Sequence, residues 1–228
     1  MVLLSFIAFI VVCLTVDGII QIVRRRKAAQ LDAASFIDTV FDVQSISIPK
    51  GIHFAKSHTW AFMDLYGDVK TGIDDFIQQI TGSITRLELK NSGESVKKGD
   101  PFITIIQNGK RIILNAPVSG TIKSQNKEVL ENLSLLNTSP YTLGWIYSIE
   151  PSNWIKESQI MMMAEKASEW IKSEYTRFKD FLAYSINKQP DGAAIAFQDG
   201  GSLKSNILES MGPEIWEEFQ SGFLDVNK

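Results

Sequence analysis

Few residues of this chain have types and spacing suited to chemistry. There are two histidines, His53 and His58, and one cysteine, Cys13. Two histidines are too few for most histidine-based metal sites, and a single cysteine excludes both an internal disulfide and a cysteine cluster around a metal. The acidic pairs Asp74-Asp75 and Glu217-Glu218 are sequence neighbours on helical segments. Adjacent helical residues point apart, so neither pair suits metal binding or acid–base work, and both read as solvated faces. No phosphate-binding glycine loop, dinucleotide fingerprint or serine-nucleophile elbow is present. The adjacent glycines of Asp199-Gly200-Gly201 read as a turn. His58 reads as a structural polar residue, with a ligand contact or a catalytic partnership as the functional alternative. The expectation is a non-enzymatic chain with no catalytic residue and no metal.

The elements that must carry these residues fall into four stretches. Val2 to Val23 is apolar except for Asp17 and is followed by Arg24, Arg25, Arg26 and Lys27. A helix of this length spans about 33 Å, enough for a bilayer core of about 30 Å. Residues 1–27 are therefore read as a single-pass transmembrane anchor with a basic stop. Positive charge follows the span, which places the bulk of the chain in the cytoplasm. Asp17 is read as interfacial, with contact to a partner helix as the alternative. Cys13 is read as a lipid-facing apolar residue. Residues 28–47 are a juxtamembrane connector. The net charge of −3 argues against nucleic acid as a partner.

Residues 48–152 have a β texture. TWAFMDL, SITRLEL, PFITIIQ, RIILNAP, SGTIKS and GWIYSIE are short apolar runs separated by Gly, Pro, Asn and Asp. Asn108-Gly109 between two such runs predicts a hairpin with strands at 102–107 and 110–115, because both turn positions need positive φ. Lys110 would then open the returning strand. Ile73, Phe76, Ile77 and Ile80 follow helical spacing and end at Gly82. A second short helix is expected at 127–136. TGSI at 81–84 and SGTI at 119–122 form a faint internal repeat. Residues 153–228 turn helical, with an amphipathic helix over 153–186, broken once, a loop at 189–192 and two short terminal helices. Gly212 closes the first of these and Pro213 starts the second. Trp216, Phe219 and Phe223 share a face. Docking on the β domain or the long helix is one reading of that face; a partner subunit is the other. The run of methionines at 161–163 reads as part of a helix with a core face and a solvated face, with a binding surface as the alternative.

The blocks IPKGIHFAKSHTWAF, GDVKTGIDDFIQQITGSITRLEL, GESVKKGDPF, NAPVSGTI and NTSPYTLGWIYSIEPSN stand in one order across residues 48–153. In content and order they resemble the glycine cleavage H-protein family. The resemblance covers nearly half the chain. It implies a mainly β, lipoyl-type hybrid β-sandwich or barrel with pseudo-twofold symmetry, here joined to an N-terminal transmembrane helix and a C-terminal α-helical extension. In that family one hairpin-tip lysine carries lipoate in amide linkage, seven residues before the Ala of the Ala-Pro-Val-Ser-Gly block. The position matching it here is Gly109, with Ile106-Gln107 in place of the acidic-serine context. Lys110 is one residue later, and is the candidate lipoyl attachment site. The family's His-Glu-Trp is His58-Thr59-Trp60. Three functions follow. One is a membrane-anchored, degenerate H-protein-like scaffold or docking subunit with no cofactor. Its partners would be the membrane and other subunits of a membrane complex, met through the transmembrane helix and the C-terminal helices. The second is a lipoyl carrier of a glycine-cleavage-type or related redox system, with Lys110 lipoylated. The third is a transport-type adaptor of opposite topology.

Overall fold

The computed structural model describes residues 40–187 and 203–225. The chain divides into two units, residues 1–39 and 40–228. The expected anchor at 1–27 lies outside the described residues, as do most of the 28–47 connector, the 189–192 loop and the Gly200-Gly201 turn. Among the described residues no helix is long and apolar enough to cross a membrane.

Eleven strands are described: β1 (Val40–Phe41), β2 (His53–Phe54), β3 (Thr59–Met63), β4 (Val69–Ile73), β5 (Arg86–Leu89), β6 (Ser95–Val96), β7 (Pro101–Gln107), β8 (Lys110–Asn115), β9 (Gly120–Gln125), β10 (Tyr147–Pro151) and β11 (Leu203–Lys204). They make a six-stranded sheet in the order β2-β3-β4-β10-β9-β6, a three-stranded sheet β5-β7-β8 and the pair β1-β11. All pairings are antiparallel. The two larger sheets share one core. Val69, Ile73, Ile122 and Ile149 from one meet Ile103, Ile105, Ile112 and Leu114 from the other, all fully buried. Alternation along each strand sends these side chains to one face. Tyr147 stitches the sheets, donating from its hydroxyl to Phe102 O at 3.0 Å and accepting from Lys90 N at 2.7 Å. Gly72 is required on β4 because a Cβ there would lie 2.8 Å from the Trp60 indole.

Helix α1 (Asp75–Thr81) follows β4, with Asp74 as N-cap accepting from Ile77 N. The expected helix at 127–136 is two short ones, α2 (Lys127–Glu131) and α3 (Leu135–Thr138), because Asn132 and Ser134 turn the chain between them through their own side-chain hydrogen bonds. The amphipathic segment breaks once, into α4 (Trp154–Ser158) and α5 (Ala164–Asn187). The break is not idle. Met162 pairs with Phe54 through both backbone hydrogen bonds, at 2.7 and 2.9 Å, extending the β2 edge. The methionine run is thus an edge extension and not part of a helix. TGSI and SGTI occupy unlike elements, a helix end and a strand start, so that repeat is not structural.

The C-terminal segment runs β11, a 3-10 turn at Ile207–Ser210, then α6 (Pro213–Phe219) continuing as a π-turn at Gln220–Leu224. Trp216, Phe219 and Phe223 do share a buried face. Phe219 and Phe223 pack against Phe178 and Phe181 of α5, with ring centres 5.5–6.1 Å apart. Trp216 turns toward the β7–β8 hairpin.

Candidate functional site

The hairpin tip forms as its dipeptide predicts. Asn108 has φ 49° and Gly109 φ 84°, a two-residue turn closed by the Gln107–Lys110 pair. The apex is glycine, and a Cβ at Gly109 would meet nothing within 4 Å. Lys110 is the first residue of β8, as its register demands, and points away from the apex.

Its ammonium is fully engaged. Lys110 Nζ donates to the carbonyls of Leu208 at 3.3 Å, Glu209 at 2.7 Å and Met211 at 3.0 Å. It also lies 5.0 Å from the centre of the Trp216 ring. The carbonyls belong to the end of the 3-10 turn, where helical backbone carries partial negative charge; Leu208 O also accepts from Met211 N at 3.1 Å. The Trp216 ring adds the negative face of its quadrupole. Trp216 is itself fixed, buried and donating from Nε1 to Leu208 O at 2.7 Å. Burial pulls the Lys110 amine below its usual range, against the opposing pull of Glu209. One residue pair further along, Gln220 covers the open edge of β8. Its Oε1 accepts from Ile113 N at 2.7 Å and its Nε2 donates to Ile113 O at 3.1 Å. The side chain thus copies what a neighbouring strand would do. Residues 203–225 form a cap over the hairpin.

A lysine carrying an amide-linked group must project freely. Lys110 as held here does not fit that requirement, since its three N–H donors are taken by carbonyls and its charge faces an indole.

His58 has a different setting. It is fully buried with φ 56°, and its Nδ1 donates to Asp74 Oδ2 at 2.8 Å. Its Nε2 stands 3.8 Å from Glu174 Oε2 on α5, too far for a hydrogen bond but close for a charge. The ring stacks on Phe76 at 4.8 Å and meets Trp170 at 4.9 Å. Burial pushes the imidazole pKa down, but the carboxylates of Asp74 and Glu174 outweigh it and hold it up at about 9. Burial likewise pushes the Glu174 carboxyl up, and His58 and Arg177 bring it below its usual range. Arg177 bonds Glu174 at 3.0 Å and reaches onward to Gly222 O in the cap. Asp74 and Asp75 are therefore not a solvated face. Asp74 caps α1 and pairs with His58, while Asp75 accepts from Ser47 N at 2.9 Å and is pushed up by burial. Their adjacency at a helix start carried the cap signal; the long-range partner, 16 residues away, left none.

His53 packs edge-on against Trp154 at 5.0 Å, and burial lowers its pKa. It is remote in role from Lys110 and His58, sharing no hydrogen bond with either. A cavity of about 300 Å³ opens near the far end of the hairpin, beside Ser57, Lys98, Asn115 and Met161; Lys110 does not line it. Among the described residues no cluster of three or more His, Cys, Asp or Glu could hold a metal.

Two antiparallel sheets on one core, the smaller ending in a tight hairpin, define a β-sandwich. A family model for the glycine cleavage H-protein matches residues 52–174. The chain belongs to that family. The probable glycine cleavage system H protein of Pyrococcus abyssi is 33% identical over 134 residues, 59% of this chain and 99% of that protein. The H protein of Carboxydothermus hydrogenoformans is 36% identical over 107 residues, 46% of this chain and 81% of its own. A crystal structure of a glycine cleavage system H protein from Mycobacterium marinum aligns with a TM-score of 0.47 at 24% identity, covering 56% of this chain and 98% of that one.

Proposed function

We propose that this chain uses the H-protein domain as a docking module and not as a carrier. It serves as a scaffold subunit of a membrane-associated complex, anchored through residues 1–27, with no cofactor and no catalysis of its own. The observation that carries this reading is the Lys110 ammonium, held by three backbone carbonyls and the Trp216 ring. The glycine at the apex supports it, since the matching position has no amine to acylate. A swinging arm needs an unencumbered lysine; here the amine nearest the tip anchors the chain's own C-terminus. The membrane part of the reading rests on the apolar run and the basic residues behind it.

The second reading, a lipoyl carrier with Lys110 as acceptor, draws on the family and on the H-protein names of the relatives. Intact mass of the native full chain, taken from cells that lipoylate other carriers, separates the two. The docking reading expects the unmodified mass. A lipoyl adduct mapped to Lys110 would overturn it.

A further inference from the structure

The disagreement between a free acceptor lysine and the caged Lys110 leads beyond the docking reading. We infer that the cap, residues 203–225, reads the charge on Lys110: it seats more firmly on the hairpin while Nζ is an ammonium and loosens when Nζ is acylated. N-acylation of Lys110 and cap closure thereby oppose each other.

The argument rests on donor count and charge. The seated ammonium supplies three N–H donors to the carbonyls of Leu208, Glu209 and Met211 and a positive charge to the Trp216 face. Acylation by an activated acyl donor works as follows. The ammonium loses a proton to solvent and the free amine attacks the acyl carbon. The carbon–nitrogen bond forms, the bond from acyl carbon to leaving-group oxygen breaks, and a second proton departs. One N–H remains and the charge is gone. Leu208 O keeps Met211 N and Trp216 Nε1, but one N–H cannot serve both Glu209 O and Met211 O; the cation–π contact is lost, and a bulky acyl carbon stands where the carbonyls converge. A further tie of the cap to β8, Gln220 to Ile113, is neutral.

Coupling of this kind is reciprocal. If acylation loosens the cap, the closed cap shields Lys110 from acyl donors by the same factor. The inference does not depend on whether the native chain is acylated. An adduct found on Lys110 would sink the docking reading, yet this inference would then require a loosened cap in that fraction.

Two measurements on the full chain test it. The first is brief labelling with N-hydroxysuccinimide acetate and peptide mapping. Lys110 is expected to react at least about tenfold more slowly than the exposed Lys127, a factor equivalent to about 1.4 kcal/mol of protection. A merely lowered amine pKa would instead speed Lys110, so a rate equal to or above that of Lys127 overturns the inference. The second is hydrogen exchange on Lys110→Gln and Lys110→Arg. The neutral variant is expected to exchange residues 207–220 at least about tenfold faster, with β4 and β10 unchanged, while the charged one stays near wild type. Wild-type protection of 207–220 in Lys110→Gln overturns the inference. If Lys110→Gln loses the β-core as well, the labelling rate in the wild-type chain decides alone.

Discussion

Two side-chain cations, one fully buried and one half-buried, fasten two helical segments by unlike means. His58 lies within the family-matched stretch and grips α5 through the Glu174 carboxylate while bonded to Asp74 at the start of α1. Lys110 grips the cap, which follows that stretch, through backbone carbonyls and an indole. His58 is fully buried, so removing its charge strands the Asp74 carboxylate in low dielectric and leaves Glu174 only Arg177. Lys110 is half-buried, and Glu209, which holds its shortest hydrogen bond, is exposed. The first arrangement is a clamp that the fold cannot open cheaply. The second is a latch that a single change of charge can loosen. The difference lies in what remains behind: a buried ion is far more costly than an unpaired carbonyl.

The largest expected effect breaks the clamp. His58→Ala leaves the buried Asp74 carboxylate without its cation and Glu174 with Arg177 alone, and is expected to destabilise the domain by about 3–5 kcal/mol. Urea unfolding at unchanged m-value reads this directly; a loss below about 1 kcal/mol would show that the carboxylates find other partners. The same contact sets a pH signature. The folded imidazole titrates at about 9, above its ordinary 6.5. A raised folded pKa contributes stability that is complete below pH 6.5 and is lost as pH rises through about 9. Wild-type stability should therefore fall across that window while the His58→Ala curve stays comparatively flat. Parallel curves would remove His58 from the account.

Much of this frame is legible in the sequence, for local reasons. Strands and turns follow from alternation and punctuation, and Asn108-Gly109 sets a register that places Lys110 on the strand. Helix α1 follows from the spacing of Phe76, Ile77 and Ile80. The partnerships are what the sequence hides. His58 meets Asp74 across 16 positions and Glu174 across the whole β domain; Lys110 meets Leu208 across 98. Such contacts depend on how elements pack, which no window of residues encodes. Solvation was misjudged for Asp74-Asp75 for the same reason. Helical spacing shows that neighbours diverge, and not that α5 will cover one of them. The shared face of Trp216, Phe219 and Phe223 was visible, and the structure shows what covers it: α5 on one side and the hairpin on the other.

A middle-sized effect tests the latch against the clamp. Lys110→Met keeps the stem and removes the charge and all three donors, an expected loss of about 1–3 kcal/mol in cap stability. Hydrogen exchange should place that loss in residues 207–220 and leave β4 and β10 protected. If the core strands lose as much protection as the cap, clamp and latch are one cooperative unit and the contrast between them fails.

The smallest effect concerns the edge of β8. Gln220 makes two hydrogen bonds to the backbone of Ile113, and it also donates to Asp225 Oδ1 at 3.0 Å. Ile113 is only partly buried, so water can take over its N–H and carbonyl when the amide is removed. Gln220→Ala should therefore cost the cap about 1 kcal/mol or less, the net worth of replaced hydrogen bonds and not of orphaned ones. The sharper readout is local: the Ile113 amide, whose acceptor is a side chain, should exchange faster while Ile112 and Leu114, fully buried on the core face, hold. The variant also leaves an unpaired strand edge, which invites pairing with another chain. An Ile113 amide that keeps its protection would mean that the aromatic packing on α5 seats the π-turn without Gln220, and that Lys110 with Trp216 is the whole of the latch on the hairpin side.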